Sequence, residues 1–368
     1  MQNVNNNIED CIDCMSCMKG CVLLDDFTQS PKSLLTSFQN INPDPDISFS
    51  CANCNYCFTV CPEDISFQDI FTNSKIEHAK DDKVLNSFGY KAVLFHQKTS
   101  FSKLFTSKTK FTTGEHRNIA FMPGCALSSY SPDLVQKIYK HLKDMLPGIN
   151  IIQQCCGQPT KTVGDNKRFN TYYKKLENDI DYMNVDVIVT ACENCNIILK
   201  ENSPDIKAIT LYEILDQYGI PKEKEDAYGF IESIALHDPC PTRYQSELHE
   251  SVRNLLSLMG IDFKEFKHNR RKTECCGSGG MLELTNPELA SKQMKSRANQ
   301  TECENIITYC QSCTESMTKG GKNGIHILDL LFSDKIEHDF KQKQFGTVSK
   351  WYHRYKSKRM IDKIKEEK

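Results

Sequence analysis

Gln153-Gln154-Cys155-Cys156-Gly157 and Thr273-Glu274-Cys275-Cys276-Gly277 are two copies of one short phrase, and reading outward from them divides the chain. Upstream of each lies an apolar strand that ends at a single cysteine. Ile119-Ala120-Phe121-Met122-Pro123-Gly124-Cys125 stands in one copy and Ile234-Ala235-Leu236-His237-Asp238-Pro239-Cys240 in the other. Between strand and Cys-Cys-Gly, apolar residues recur at helical spacing over 133–145 and 248–259. Downstream come further helical stretches near 166–183 and 286–299, the second opened by Asn286-Pro287-Glu288. The strands Val185–Thr190 and Asn305–Thr308 then run into Cys192-x2-Cys195 and Cys310-x2-Cys313, and apolar runs at 209–215 and 325–331 close each copy. Strand and helix alternate, so each copy reads as a small α/β domain with a mostly parallel sheet, and the pair as a duplication.

Each copy gathers five cysteines at strand ends: Cys125, Cys155, Cys156, Cys192 and Cys195 in one, Cys240, Cys275, Cys276, Cys310 and Cys313 in the other. Loops of an open α/β sheet collect their ligands there. Five thiols exceed the needs of a tetrahedral zinc or a single cubane. Adjacent side chains diverge, so both members of the Cys-Cys pair can ligate only if they address different metal atoms or the backbone turns sharply. Gly157 and Gly277 permit that turn or a close backbone approach. The spacing points to a polynuclear, irregular cluster.

Eight of the nineteen cysteines lie nearer the N-terminus, in two C-x2-C-x2-C-x3-C runs: Cys11, Cys14, Cys17, Cys21 and Cys51, Cys54, Cys57, Cys61. Pro62 closes the second run, whereas Val22 stands after the first. Three cysteines at i, i+3 and i+6 wrap one face of a cubane. The runs resemble those of two-cluster ferredoxins, whose fourth cysteine ligates the other cluster. That resemblance implies one [4Fe–4S] cluster on Cys11, Cys14, Cys17 and Cys61 and a second on Cys51, Cys54, Cys57 and Cys21. Between the runs stand a short helical candidate, 32–39, and a turn-rich stretch, 42–46. This long spacer resembles the α-helical ferredoxin domains of fumarate-reductase-type and heterodisulfide-reductase-type subunits.

The bulk composition narrows the rest. With 368 residues, 39% hydrophobic and 26% charged, the chain suits a soluble protein of two or three domains. A net charge of −2 gives no footprint for nucleic acid. No apolar stretch reaches transmembrane length and the first residues are no signal peptide, so a cytoplasmic location is expected, where clustered thiols bind metals. No G-x-G-x-x-G follows a strand, so the chain is expected to bind neither flavin nor NAD itself. The Lys-, Thr- and Ser-rich residues 98–115 read as a linker. The last 28 residues carry ten Lys or Arg against three acidic groups and the single tryptophan, Trp351. They read as a solvated, partly disordered tail, with a basic helix on a partner or an anionic membrane surface as the alternative.

The whole pattern resembles the heterodisulfide reductase family, with its cysteine-rich CCG domains, and the iron–sulfur subunits of anaerobic glycerol-3-phosphate dehydrogenase and of glycolate and lactate oxidases. The resemblance implies an α+β multidomain chain: a two-cluster ferredoxin domain at 1–100, CCG domains at 116–220 and 228–335, and a basic tail at 336–368. It implies a noncubane [4Fe–4S] cluster on each set of five cysteines, between which a disulfide is cleaved, so these ten cysteines are the candidate catalytic residues. The implied function is an iron–sulfur oxidoreductase subunit fed by a flavoprotein partner. The alternatives are electron transfer from a flavin-dependent dehydrogenase to a quinone, and a zinc-stabilised scaffold. Among other residues, His237 reads as a structural strand-end histidine more readily than as a proton donor to a leaving thiolate. Arg243, Arg270 and Arg271 read as exposed residues open to an anionic substrate, Cys303 as a buried structural thiol, and Gly277-Ser278-Gly279-Gly280 as room around a cluster.

Overall fold

A computed structural model of the chain describes residues 7–39, 43–111, 118–333 and 344–366. The N-terminal unit is helical. Its described helices are Val22–Phe27, Pro31–Ser37, Pro45–Phe49, Tyr56–Val60, Phe67–His78, Asp82–Ser87 and Tyr90–Ser100. Ser30, Asp44, Ser66 and Asp81 cap four of them by accepting a backbone N–H, the arrangement short helices need to satisfy their first turn. Their apolar faces meet in a core around Leu24, Leu35, Phe71 and Ile65.

The rest is the expected pair of parallel sheets. The first holds β1 (Ser107–Lys108), β2 (Ile119–Met122), β3 (Asn150–Gln153), β4 (Val187–Thr190) and β5 (Lys207–Thr210), in the order β1-β3-β2-β4-β5. The second holds β6 (Ile234–His237), β7 (Lys264–Glu265), β8 (Asn305–Thr308) and β9 (Asn323–His326), in the order β7-β6-β8-β9. Apart from β1, which runs antiparallel to β3, every pairing is parallel. The shared order β3-β2-β4-β5 and β7-β6-β8-β9 makes the duplication explicit. The central strands are buried along their length, as helices on both faces require. Phe121 pairs across to Ile151 and Val189, and Leu236 to Ile307.

In both sheets the chain leaves the first strand toward one side and returns on the other. The loops after β2 and β4, and after β6 and β8, therefore part at a topological switch point, where a crevice opens. Cys125, Cys192 and Cys195, and likewise Cys240, Cys310 and Cys313, follow the carboxyl ends of these strands, while the Cys-Cys pairs come after β3 and β7. One continuous core joins the repeats, with Tyr212 on the first donating its hydroxyl to the carbonyl of Tyr309 on the second at 2.8 Å.

Two expectations are overturned. The described part of 98–115 is no linker: helix Tyr90–Ser100 enters it, Ser107 and Lys108 pair with β3, and Thr109 is buried, sharing hydrogen bonds with Asn150 and Ile151. Residues 112–115 lie outside the described residues. The basic tail is not loose over 347–366, although one of its faces is exposed. It forms a 20-residue helix, Thr347–Glu366, whose Arg354, Ser357 and Ile361 are buried. Lys350 pairs with Glu315 of the second repeat, and Asp362 accepts from Ser107 beside the first, so the helix straps both. Positions 336–343 of that tail, and the last two, lie outside the described residues.

Candidate metal centres

The two N-terminal runs fold as interleaved loops. Cys11, Cys14, Cys17 and Cys61 line one space of about 350 Å³, and Cys21, Cys51, Cys54 and Cys57 another of about 520 Å³. The first three cysteines of each run thus face the fourth of the other. Non-glycine residues in left-handed backbone, Asp13 and Met15 in one loop and Asn53 and Asn55 in the other, fold the loops tightly enough for this. Burial, followed by the charges of neighbouring cysteines, pushes the Cys17 and Cys57 thiols up to about 12. Lys75, wholly enclosed, holds the second loop by donating to the carbonyl of Cys51 and the side chain of Asn53.

In each repeat the five thiols neighbour one another in the same order. In the first the order is Cys125, Cys155, Cys156, Cys195, Cys192, and in the second Cys240, Cys275, Cys276, Cys313, Cys310. The duplication extends to the backbone: the N–H of Gly157 donates to Cys155 Sγ at 3.4 Å, and that of Gly277 to Cys275 Sγ at 3.3 Å. Both glycines have φ near +90°, so the sharp turn that separates the paired cysteines needs them. Hydrogen bonds from Cys155 and Cys195 draw the Cys156 thiol down to about 6, and Cys276 is drawn down in the same way. Cys125 is pushed up to about 12 by its bond to Cys155 and by burial.

The four sulfur sets stand in a row. Cys57 acts on Cys17, joining the two N-terminal sets. Cys275 of the second repeat lines the same space as Cys21, Cys51, Cys54 and Cys57. Cys310 of the second repeat lies close enough to Cys192 of the first to feel its charge. The row therefore runs from the first N-terminal set to the second, then to the second repeat, and last to the first repeat.

Several neighbouring side chains other than cysteine also reach these sites. Glu193, fully buried between Cys192 and Cys310, has no hydrogen-bond partner on either carboxylate oxygen among the described residues. Burial and these two cysteines push it well above the usual carboxylate range. Asn196 Oδ1 and Thr308 Oγ1 are buried and unpartnered as well. His96, from the N-terminal unit, brings Nε2 to 4.0 Å from Cys155 Sγ, and Arg354 of the C-terminal helix lends its charge to Cys125 and Cys155. Glu193 sits inside a Cys-x2-Cys motif, which is a signal; His96 and Arg354 reach the site only through long-range packing, and their local sequence carries none.

The remaining residues singled out from the sequence fall elsewhere. Arg243 is not exposed: it is 2% accessible and donates from Nε and Nη2 to the carbonyl of Cys54, clamping the second repeat to the second N-terminal loop. Arg270 is half-buried against Glu250 and Glu265, while Arg271 is exposed. Cys303 is buried in the core of the second repeat. Gly277-Ser278-Gly279-Gly280 does not make room for a cluster. A Cβ on Gly280 would stand 2.1 Å from the carbonyl oxygen of Cys51, so the stretch makes room for another backbone.

Family models agree with this architecture: a 4Fe-4S dicluster domain matches residues 10–66, and a cysteine-rich CCG domain matches twice, at 119–200 and 234–318. The chain is an iron–sulfur protein of the dicluster-plus-paired-CCG family. Among its relatives is one of the subunits of fumarate reductase (CoM/CoB) from Methanothermobacter marburgensis, 22% identical over 89% of this chain and 73% of that protein. One of the subunits of the dihydromethanophenazine:CoB–CoM heterodisulfide reductase from Methanosarcina acetivorans is also 22% identical, over 80% and 76%. The probable glycolate oxidase iron–sulfur subunit of Bacillus subtilis is 21% identical over 88% and 93%. A solved Asp/Glu racemase from Yersinia pestis, at TM-score 0.28 and 12% identity over 67% of this chain and 99% of that one, is too slight a likeness to argue from. No described helix of this iron–sulfur protein is long and apolar enough to cross a membrane.

Proposed function

We propose that the chain is an electron-transfer subunit in which the eight N-terminal cysteines hold two [4Fe–4S] cubanes and the ten cysteines of the repeats hold two noncubane clusters. The observation that carries this reading is the succession of four sulfur sets, the second N-terminal set sharing one space with Cys275 of the second repeat and Cys310 of that repeat feeling the charge of Cys192 in the first. The donor sets fit such groups. Buried thiols crowded this closely repel one another as anions, and bound iron offsets that cost while binding releases their protons. When bound, the clusters supply one-electron oxidation and reduction. The protein residues set the path: Arg243 and the Gly279–Gly280 contact hold the second repeat against the loop of Cys51 and Cys54.

The reaction class we assign is reduction of a small disulfide, RSSR + 2e⁻ + 2H⁺ → 2RSH, between the two repeats, where Cys310 feels the charge of Cys192. The unpartnered carboxylate oxygens of Glu193, which feels both cysteines, support it, because buried polar groups left unmatched by protein are matched by solvent or ligand. The electrons come from a redox partner, assigned to a flavoprotein. The likeness to a glycolate oxidase subunit favours a second reading, in which the same row carries electrons from a flavin-dependent dehydrogenase to a quinone. Metal analysis of protein kept without oxygen tests the shared core: about sixteen irons per chain and negligible zinc are expected. About eight irons with zinc would overturn it. Thiol release from a small disulfide by the chemically reduced protein separates the readings; its absence, with quinone reduced instead, selects the second.

A further inference from the structure

His237, the last residue of β6, stands three positions before Cys240, and its ring, Cys276 and Cys313 bring one nitrogen and two sulfurs within 4.8 Å of one another. The ring is completely buried. Nδ1 is taken: Arg297 donates to it from Nε at 3.3 Å. A guanidinium is always a donor and has no lone pair to offer, so Nδ1 carries the lone pair and the ring proton sits on Nε2. A second proton on Nδ1 would point at the Arg297 N–H. Arg297 therefore excludes both the other tautomer and the imidazolium.

Arg297 is itself pinned. It donates from Nη2 to the carbonyl of His268 at 2.9 Å and lies over the Phe266 ring at 4.0 Å from its centre, with no accessible surface. Nε2 has no hydrogen-bond partner among the described residues. An N–H held so firmly, buried and unmatched on a ring that lies beside two sulfurs, is a donor awaiting an acceptor.

The first repeat has no such group. The position three before Cys125 is Met122, which is buried and has no donor. The imidazole near that site, His96, comes from the N-terminal unit and approaches Cys155, not the counterparts of Cys276 and Cys313. The two duplicated sites therefore place their imidazoles against different cysteines.

Resting on the iron–sulfur reading above, we propose that His237 is a positioning residue that holds a fixed Nε2–H for the group bound by the second repeat, making that group easier to reduce than it would be without this donor. Hydrogen bonds to sulfur stabilise the more negative, reduced state and raise the potential.

The test uses full-length protein assembled without oxygen, with iron and sulfide counted first and potentials then followed by electron paramagnetic resonance. Wild-type protein lacking iron in the repeats would sink the function proposed above and leave no potential to compare, so that failure is read separately. In His237→Asn the amide nitrogen falls where Nδ1 stood; in His237→Gln it falls near Nε2. The expected result is equal iron in all three proteins, with one centre of His237→Asn about tenfold harder to reduce, ~59 mV for a one-electron couple, and His237→Gln close to wild type. Equal potentials in all three overturn the proposal. So does loss of iron from both variants, since that marks His237 as a ligand. If only His237→Asn fails to assemble, His237→Leu takes its place under the same criteria, and His237→Gln must still match wild type.

Discussion

Replacing Gly280 with alanine tests whether the second repeat and the second N-terminal loop are built as one surface. The new methyl would stand 2.1 Å from the Cys51 carbonyl oxygen and 2.7 Å from Ala52 Cα, at φ +65°. Backbone cannot yield as a side-chain tip can, so the loop carrying Cys51 and Cys54 must retreat by roughly 1 Å or more to regain van der Waals distance. Two costs add. Left-handed backbone costs a non-glycine residue about 1–2 kcal/mol. Overpacking a close contact costs about 1–3 kcal/mol more. The expected loss is about 2–5 kcal/mol. Gly321 provides the control: it too has positive φ, +100°, but a Cβ there meets nothing within 4 Å, so Gly321→Ala carries the strain without the clash. Both variants, iron-loaded and kept without oxygen, are compared by guanidinium unfolding, together with the rate at which electrons given to the N-terminal clusters appear on the repeats. Gly280→Ala should be the less stable by about 1–3 kcal/mol and the slower in transfer. Equal stability and equal transfer would refute the claim that these two backbones touch.

Further outcomes are expected elsewhere. Asp238 accepts from Arg253, Tyr309 and the N–H of Arg270 while fully buried, so Asp238→Ala, which strands Arg253, should cost about 3–5 kcal/mol in the same unfolding measurement. Burial raises the Asp329 carboxyl to about 7, although Tyr130 donates to it. Because its folded pKa lies above the unfolded one, its favourable contribution is complete below about pH 4 and is lost as pH rises through 7. Asp329→Asn should therefore match wild type near pH 4 and exceed it at pH 8 by on the order of 2 kcal/mol, and an unchanged difference between the two pH values would count against this. Truncation before Thr347 removes Arg354 and Ile361 and should leave the N-terminal irons in place while the first repeat loses iron faster in air; equal loss from both repeats would contradict the role given to the helix.

Much of the architecture could be read from spacing, for a physical reason. Cysteine sets repeat at fixed intervals because a cluster needs donors at fixed places, and strands such as Val187–Thr190 are short apolar runs because both sheet faces are covered. What escaped reading depends on contacts distant in sequence. The helix Thr347–Glu366 buries Arg354, Ser357 and Ile361, at i, i+3 and i+7, yet two of the three are polar, so hydropathy does not reveal the face. Residues 107–109 look like a linker because Ser, Lys and Thr are polar, but Ser107 and Thr109 satisfy their hydroxyls on Asp362 and Asn150. Arg243 and Gly280 show the same limit. Each is explained by Cys51 or Cys54, nearly two hundred residues or more away, and no local pattern announces a partner so remote.

The strap formed by the C-terminal helix also sets an order of events during synthesis. Arg354, whose carbonyl accepts from Gln153 beside the first Cys-Cys-Gly, leaves the ribosome after every one of the nineteen cysteines. Until then the first repeat is an open vessel with its donors already made, and afterwards it is a partly covered one, with Cys125 and Cys192 still partly accessible. Cofactor loading of that repeat has a natural deadline, the docking of the last helix, whereas the N-terminal loops are closed by residues translated early and by Gly280 and Arg243. A chain arrested before residue 347 should accept iron into the first repeat more readily than the finished, metal-stripped protein does; the opposite order would mean that the helix prepares the vessel instead of closing it.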